Sequence, residues 1–148
     1  MKLRHLITSA LALTLMSACT DGLVDVNVDE IVGTWNATEM VFTSDADSEV
    51  FVDLIAEGAS LSVELGNDGT YQLVILEPGF EPEDEAGTYS VDGAILTLDP
   101  IEFPENDLFE AVLNGNSLTL MSSDDEFDFD DDGIEDAASL EVTLARAL

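Results

Sequence analysis

The chain has 148 residues, of which 33 are acidic, 3 are lysine or arginine and 1 is histidine, for a formal net charge of −30. A surface of that sign repels nucleic-acid phosphates and anionic lipid headgroups, which excludes both as partners, and salt or divalent cations would ease its self-repulsion. With one cysteine there is no internal disulfide, so a single domain of this length stands on its hydrophobic core alone.

Residues 1–18 read as a targeting segment. Lys2 and Arg4 precede an apolar run from Leu6 to Met16, too short for a membrane-spanning helix of about 20 predominantly apolar residues. Leu15-Met16-Ser17-Ala18-Cys19 then sets small residues directly before the only cysteine. This stretch resembles the bacterial lipobox, with Met16 where leucine is more usual. The resemblance implies a lipoprotein signal peptide over 1–18, a diacylglycerol on the Cys19 thiol and a palmitate-type acyl chain on its amine. Several chains hold a protein at a membrane where one does not. Thr20 in place of aspartate implies, by the same resemblance, sorting to the outer membrane of the cell envelope. The alternative is an ordinary cysteine past a general secretory cleavage site. Residues 19–29 then form the lipidated cysteine and a short tether, able to pair in part as an edge strand, and 30–148 form the domain.

From Ile31 onward apolar residues alternate with polar ones between closely spaced turn signals, which predicts antiparallel strands rather than helices. Val32 to Phe42 is the first, and Glu49 to Leu54 a weaker second, with Val50 to Ala59 open to a helical turn instead. Leu61, Val63 and Leu65 alternate with Ser62 and Glu64, and Gly66-Asn67-Asp68-Gly69 turns the chain into Thr70 to Leu76. Asp92-Gly93 joins Ala86–Val91 to Ala94–Leu98, and Asn114-Gly115 joins Leu108–Leu113 to Asn116–Met121, each as a tight hairpin. A last pair runs from Glu126-Phe127-Asp128-Phe129 across an acidic turn to Ala138 through Arg146. Such a series of hairpins predicts an all-β, antiparallel up-and-down barrel of about 8–10 strands, because closure removes the exposed edges. An immunoglobulin-like sandwich is the rival, but it needs longer crossover connections. Two proline-bearing loops, Glu77–Glu85 and Asp99–Asp107, are placed at one end, where Phe80, Phe103 and Phe109 either gate an apolar mouth or staple the loops to the outer wall.

Gly33-Thr34-Trp35, Gly69-Thr70-Tyr71, Gly87-Thr88-Tyr89, Asn116-Ser117-Leu118-Thr119-Leu120 and the closing Leu144-Ala145-Arg146 occur in an order that resembles the bacterial lipocalin-like domain, a calycin-type barrel, over about residues 30–148. The resemblance implies that Trp35 lies across the closed end of the barrel with Arg146 packed over it. Arg146 also shares parity with Leu140, Val142 and Leu144. Read without the family, Trp35 is a large core aromatic and Arg146 a surface cation. The disulfide and further motifs of authentic lipocalins are missing.

Asp128-Phe129-Asp130-Asp131-Asp132-Gly133-Ile134-Glu135-Asp136 alternates carboxylates around a sharp glycine turn. Calcium takes six to eight oxygens, and Asp128, Asp130, Asp132, the Ile134 carbonyl and Asp136 would supply them in a loop resembling thrombospondin type 3 and EF-hand-like repeats. Ser139 stands where such loops close with a bidentate acid, which makes any site weak. The competing reading is an exposed acidic hairpin tip.

Beyond residue 18 there is no His, no Lys and no cysteine other than Cys19, so no Ser-His or Cys-His pair, zinc site or phosphate loop can be assembled there. The expected function is non-enzymatic: a lipid-anchored binding module for a small apolar or amphipathic ligand. The alternative is a calcium-stabilised structural or interaction module whose barrel is filled by its own side chains. Interior volume separates the two.

Overall fold

The computed structural model describes residues 25–147, so the signal-peptide and Cys19 expectations lie outside the described residues. One short helix, α1 (Val28–Ile31), precedes nine strands: β1 (Gly33–Ser44), β2 (Phe51–Asp53), β3 (Ser60–Leu65), β4 (Thr70–Leu76), β5 (Glu83–Asp92), β6 (Ile95–Pro100), β7 (Asp107–Asn114), β8 (Ser117–Phe127) and β9 (Asp136–Arg146). All pairings are antiparallel, and β1 and β3 to β9 hydrogen-bond in sequence order. The ring is closed by β9 against β1, from Trp35 opposite Arg146 to Ser44 opposite Ala138. The result is an eight-stranded, up-and-down antiparallel barrel, consistent with a lipocalin-like fold. Strand β2 pairs only with Val41–Thr43 of β1, on the same edge of β1 that β3 occupies at Gly33–Asn36.

Period-two patterning produces this ring. In β3 the buried residues are Leu61, Val63 and Leu65, and in β9 Ala138, Leu140, Val142 and Leu144, each alternating with more exposed neighbours. Burying one such aliphatic side chain is worth roughly 1.5–3 kcal/mol, so a one-residue slip of any strand would forfeit several of these at once.

Two bulges reverse that parity, and the sequence pattern alone does not reveal them. In β1 the register against β9 shifts between Ala37 and Glu39, so the inward set passes from Trp35 to Met40 and Phe42. In β8 it shifts between Ser122 and Asp125, so the inward set passes from Leu118 and Leu120 to Phe127. Phe127 then stacks on Phe42 with ring centroids 4.7 Å apart, and Phe129 leans on it at 5.0 Å. Of the residues expected to open a separate last pair, Glu126 and Phe127 instead finish one long strand, β8, opposite Ala137 and Asp136 across the acidic turn, and Asp128 and Phe129 lie beyond its end.

The hairpins sit one residue later than expected. Asp92 pairs with Ile95 and Asn114 with Ser117, so the loops are Gly93-Ala94 and Gly115-Asn116. In each, the glycine alone has positive φ, 62° and 61°, which is the type II′ arrangement with glycine first.

The described part of the expected tether is packed structure. Val26 is buried and its N–H donates to the Gly93 carbonyl at 2.9 Å. Asn27 then caps α1 by accepting the Asp29 N–H at 3.0 Å, and Ile31 is fully buried. This segment crosses the end of the barrel that carries the Gly66–Gly69, Gly93-Ala94 and Gly115-Asn116 turns. The opposite end carries the longer loops between β1 and β3, β4 and β5, β6 and β7, and β8 and β9.

Candidate functional site

The closed end is built around Trp35, which is 0 % exposed. Its Nε1–H donates to the Ile31 carbonyl at 2.8 Å, tying the indole to α1. The Arg146 guanidinium lies over the indole, its Cζ 4.2 Å from the ring centroid. Nη1 donates to the Val32 carbonyl at 2.8 Å and Nη2 to the Glu30 carbonyl. Gly33 is required here on two grounds. Its φ is +136°, and a Cβ at this position would come within 2.8 Å of the Arg146 Nη1.

Above this plug the barrel encloses a cavity of about 760 Å³. Leu65, Leu96, Leu118 and Leu144 line its depths, and Leu61, Val63, Leu73, Leu120 and Val142 line the walls. These are small or medium aliphatics on a ring of eight strands, a number that leaves room either for side chains or for one small ligand. The volume lies within the ordinary range of small-molecule sites, roughly 300–1,000 Å³. A barrel filled by its own side chains is therefore not what these residues make. Of the three aromatics expected at the loop end, Phe103 in the β6–β7 loop and Phe109 on β7 line the cavity, whereas Phe80 does not.

Carboxylates also line the upper part: Glu83, Asp84 and Glu85 of β5, Glu102, Asp107 and Asp125. Glu85 is held by the Tyr71 hydroxyl, which donates to Oε1 at 2.6 Å, and burial together with this acid pushes the Tyr71 pKa upward. Burial, then the negative charges of Glu85, Asp125 and Glu105, pushes the Asp107 carboxyl up to about 7. Asp125 is also raised, mainly by burial, against a lowering hydrogen bond from Ser122. These inward acids are what the sequence reading missed. Asp and Glu between apolar residues look solvent-facing, and only the β8 bulge reveals that Asp125 shares the inward side with Phe127.

Asp107 gives stability a pH dependence with a definite sign. The folded protein keeps this proton up to about pH 7, while the unfolded chain releases it near the usual aspartate value of about 4. Between those limits the unfolded state binds fewer protons, so stability falls as pH rises. Such a displacement corresponds to roughly 4 kcal/mol at 1.36 kcal/mol per tenfold, and solvent reaching this half-buried group screens that to about 2 kcal/mol. Asp107→Asn is thus expected to match the parent below about pH 4, gain from there upward, and exceed it by about 2 kcal/mol above pH 7. Urea unfolding at several pH values checks this; an equal gain at every pH would contradict it.

On the outer loop between β8 and β9 the carboxylates of Asp128, Asp130 and Asp132 lie within 4.8 Å of one another. Their oxygens accept the loop's own N–H groups: Asp128 from Asp132 and Gly133, Asp130 from Asp132, and Asp132 from Ile134 at 2.8 Å. Ile134 is 68 % exposed, and Asp136 is outside this group, opening β9 opposite Phe127. Three of the five expected calcium ligands are brought together, and such a triad could hold a metal.

No protein-family model and no curated protein matches the sequence. The architecture rests on the closed topology itself.

Proposed function

We propose that this protein is a lipid-anchored, non-catalytic binding module of the cell envelope that holds a small apolar or amphipathic molecule in its barrel. The observation that carries the reading is the apolar cavity of about 760 Å³ above the Trp35 plug. With no His and no Lys beyond residue 18, no Ser-His, Cys-His or Schiff-base lysine arrangement is available, which favours storage or transport over those chemistries. Attachment through Cys19 at the outer membrane is part of the same reading and is supported by the order of charge, apolar run, small residues and cysteine in residues 1–19.

Native mass spectrometry of the full chain, extracted in mild detergent, tests both parts. The expected spectrum shows acyl chains covalently on Cys19 and a non-covalent small molecule released at higher collision energy. Protein that stays empty after incubation with a panel of apolar compounds would refute the binding part. An unmodified cysteine would refute the anchor.

A second reading has its own support in the Asp128, Asp130 and Asp132 triad: calcium stabilises the β8–β9 loop of an interaction module. Extracellular sites of this kind bind at ~10⁻⁴ to 10⁻³ M. At about ten times that Kd, binding contributes about 1.4 kcal/mol, or a few degrees of Tm for a domain this size. Thermal unfolding with calcium against sodium at matched ionic strength reads it. Loss of the calcium-specific increment in Asp130→Asn is expected, and equal midpoints in the two salts would reject the site.

A further inference from the structure

Carboxylates on the outside of a highly acidic protein need no special account, but carboxylates pointing into an apolar cavity do. Glu85 on β5, Asp107 on β7 and Asp125 on β8 line the same cavity as Leu96, Leu98 and Leu120. Each gives up part of its hydration there, and the acids repel one another. No Lys, Arg or His is among the lining residues to compensate them. Arg146 is committed at the closed end to the Trp35 face and to the Val32 and Glu30 carbonyls.

We infer that the barrel selects a cationic amphiphile: an apolar chain among the deep leucines, ending in a protonated or quaternary amine held among Glu85, Asp107 and Asp125. This rests on the binding reading above and names the class of ligand. A single metal ion fits less well. Among the described residues, the group of acids whose oxygens converge within 4.8 Å is the external Asp128, Asp130 and Asp132 triad, not the internal set. Acids that line a mouth without converging suit a broad, diffuse cation instead. Phe103 and Phe109 line the same region, and aromatic faces attract alkylammonium groups. The Tyr71 hydrogen bond at 2.6 Å holds the Glu85 carboxylate in a fixed place. An anionic amphiphile such as a fatty acid meets only like charge.

The test compares three probes with one tail: dodecyltrimethylammonium, dodecanol and dodecanoate, each below its micelle concentration, titrated calorimetrically into the full chain at about pH 8, above the value of about 7 to which Asp107 is raised. The ammonium is expected to bind at least about tenfold tighter than the alcohol, with the carboxylate weakest. The double variant Glu85→Gln/Asp125→Asn should lose that preference while keeping the alcohol affinity, which also shows that it is folded. Asp131→Asn/Glu135→Gln removes the same charge from the outer loop and should keep the preference. At about pH 5.5 the preference should shrink as Asp107 takes up its proton. Equal affinity for the three heads would overturn the inference and leave the binding reading standing. Equal loss of preference in both variants would overturn it too, since the field of the whole molecule would then explain the effect. If none of the three binds, the binding reading falls and this inference with it.

Discussion

Trp35→Ala lowers the folding stability of the barrel by about 3–5 kcal/mol, a large share of the 5–15 kcal/mol typical of a domain. Three losses coincide. The indole is wholly buried, so its removal opens a void at the base of the cavity. The Ile31 carbonyl loses the Nε1–H donor that it holds at 2.8 Å. Arg146 loses the ring face beneath its guanidinium, a contact worth roughly 0.5–2 kcal/mol. Chemical unfolding monitored by far-ultraviolet circular dichroism measures the total. Trp35→Phe separates the parts: it keeps most of the apolar area and gives up the hydrogen bond, for an expected cost of about 1–2 kcal/mol. A change below about 1 kcal/mol in the alanine variant would mean that the end of the barrel is not held shut by this residue.

The second large effect belongs to Arg146, the only Lys or Arg after residue 4. Arg146→Met keeps the apolar stem and removes the charged fork, which leaves the Val32 and Glu30 carbonyls without their donors. A charged hydrogen bond contributes about 1.5–3 kcal/mol, and one of these two acceptors is near solvent, so the expected loss is about 2–3 kcal/mol. Arg146→Lys should recover less than half of it, because an ammonium cannot stack on the indole and reach two carbonyls at once. Added salt should narrow the gap between Arg146→Met and the parent, since the variant also carries one more unit of uncompensated negative charge. A loss independent of the residue substituted and of salt would assign Arg146 only a packing role.

What the sequence discloses and what it hides divide along a physical line. The strand sequence was legible because Leu61, Val63 and Leu65, or Leu140, Val142 and Leu144, alternate without interruption, and because glycines mark the reversals. Of the alternating apolar residues, Leu61, Val63, Leu73, Leu96, Leu118, Leu120 and Val142 line the cavity, and Tyr71 is buried beside it. Alternation fails wherever an extra residue is inserted. At Ala37/Glu39 and Ser122/Asp125 the pattern changes phase, and no residue type at those places announces the change. That is why Glu126 read as the start of a new strand and the inward place of Asp125 went unforeseen. The α1 turn was hidden for another reason. Four residues are too few for a periodic signal, and their place is set by Trp35 together with Arg146, which is distant in sequence. The one-residue offset of the hairpins reflects glycine's freedom: Gly93 and Gly115 serve equally as first or second residue of a tight turn, and only pairing of the strands decides.

The crossing segment at Val26, whose N–H meets the Gly93 carbonyl, gives the molecule a direction. The polypeptide arrives beneath the sealed base, on the side away from the acidic opening. Under the proposed anchored-binding reading, a tether upstream of Val26 would therefore meet the sealed base, and a ligand would enter and leave on the far side.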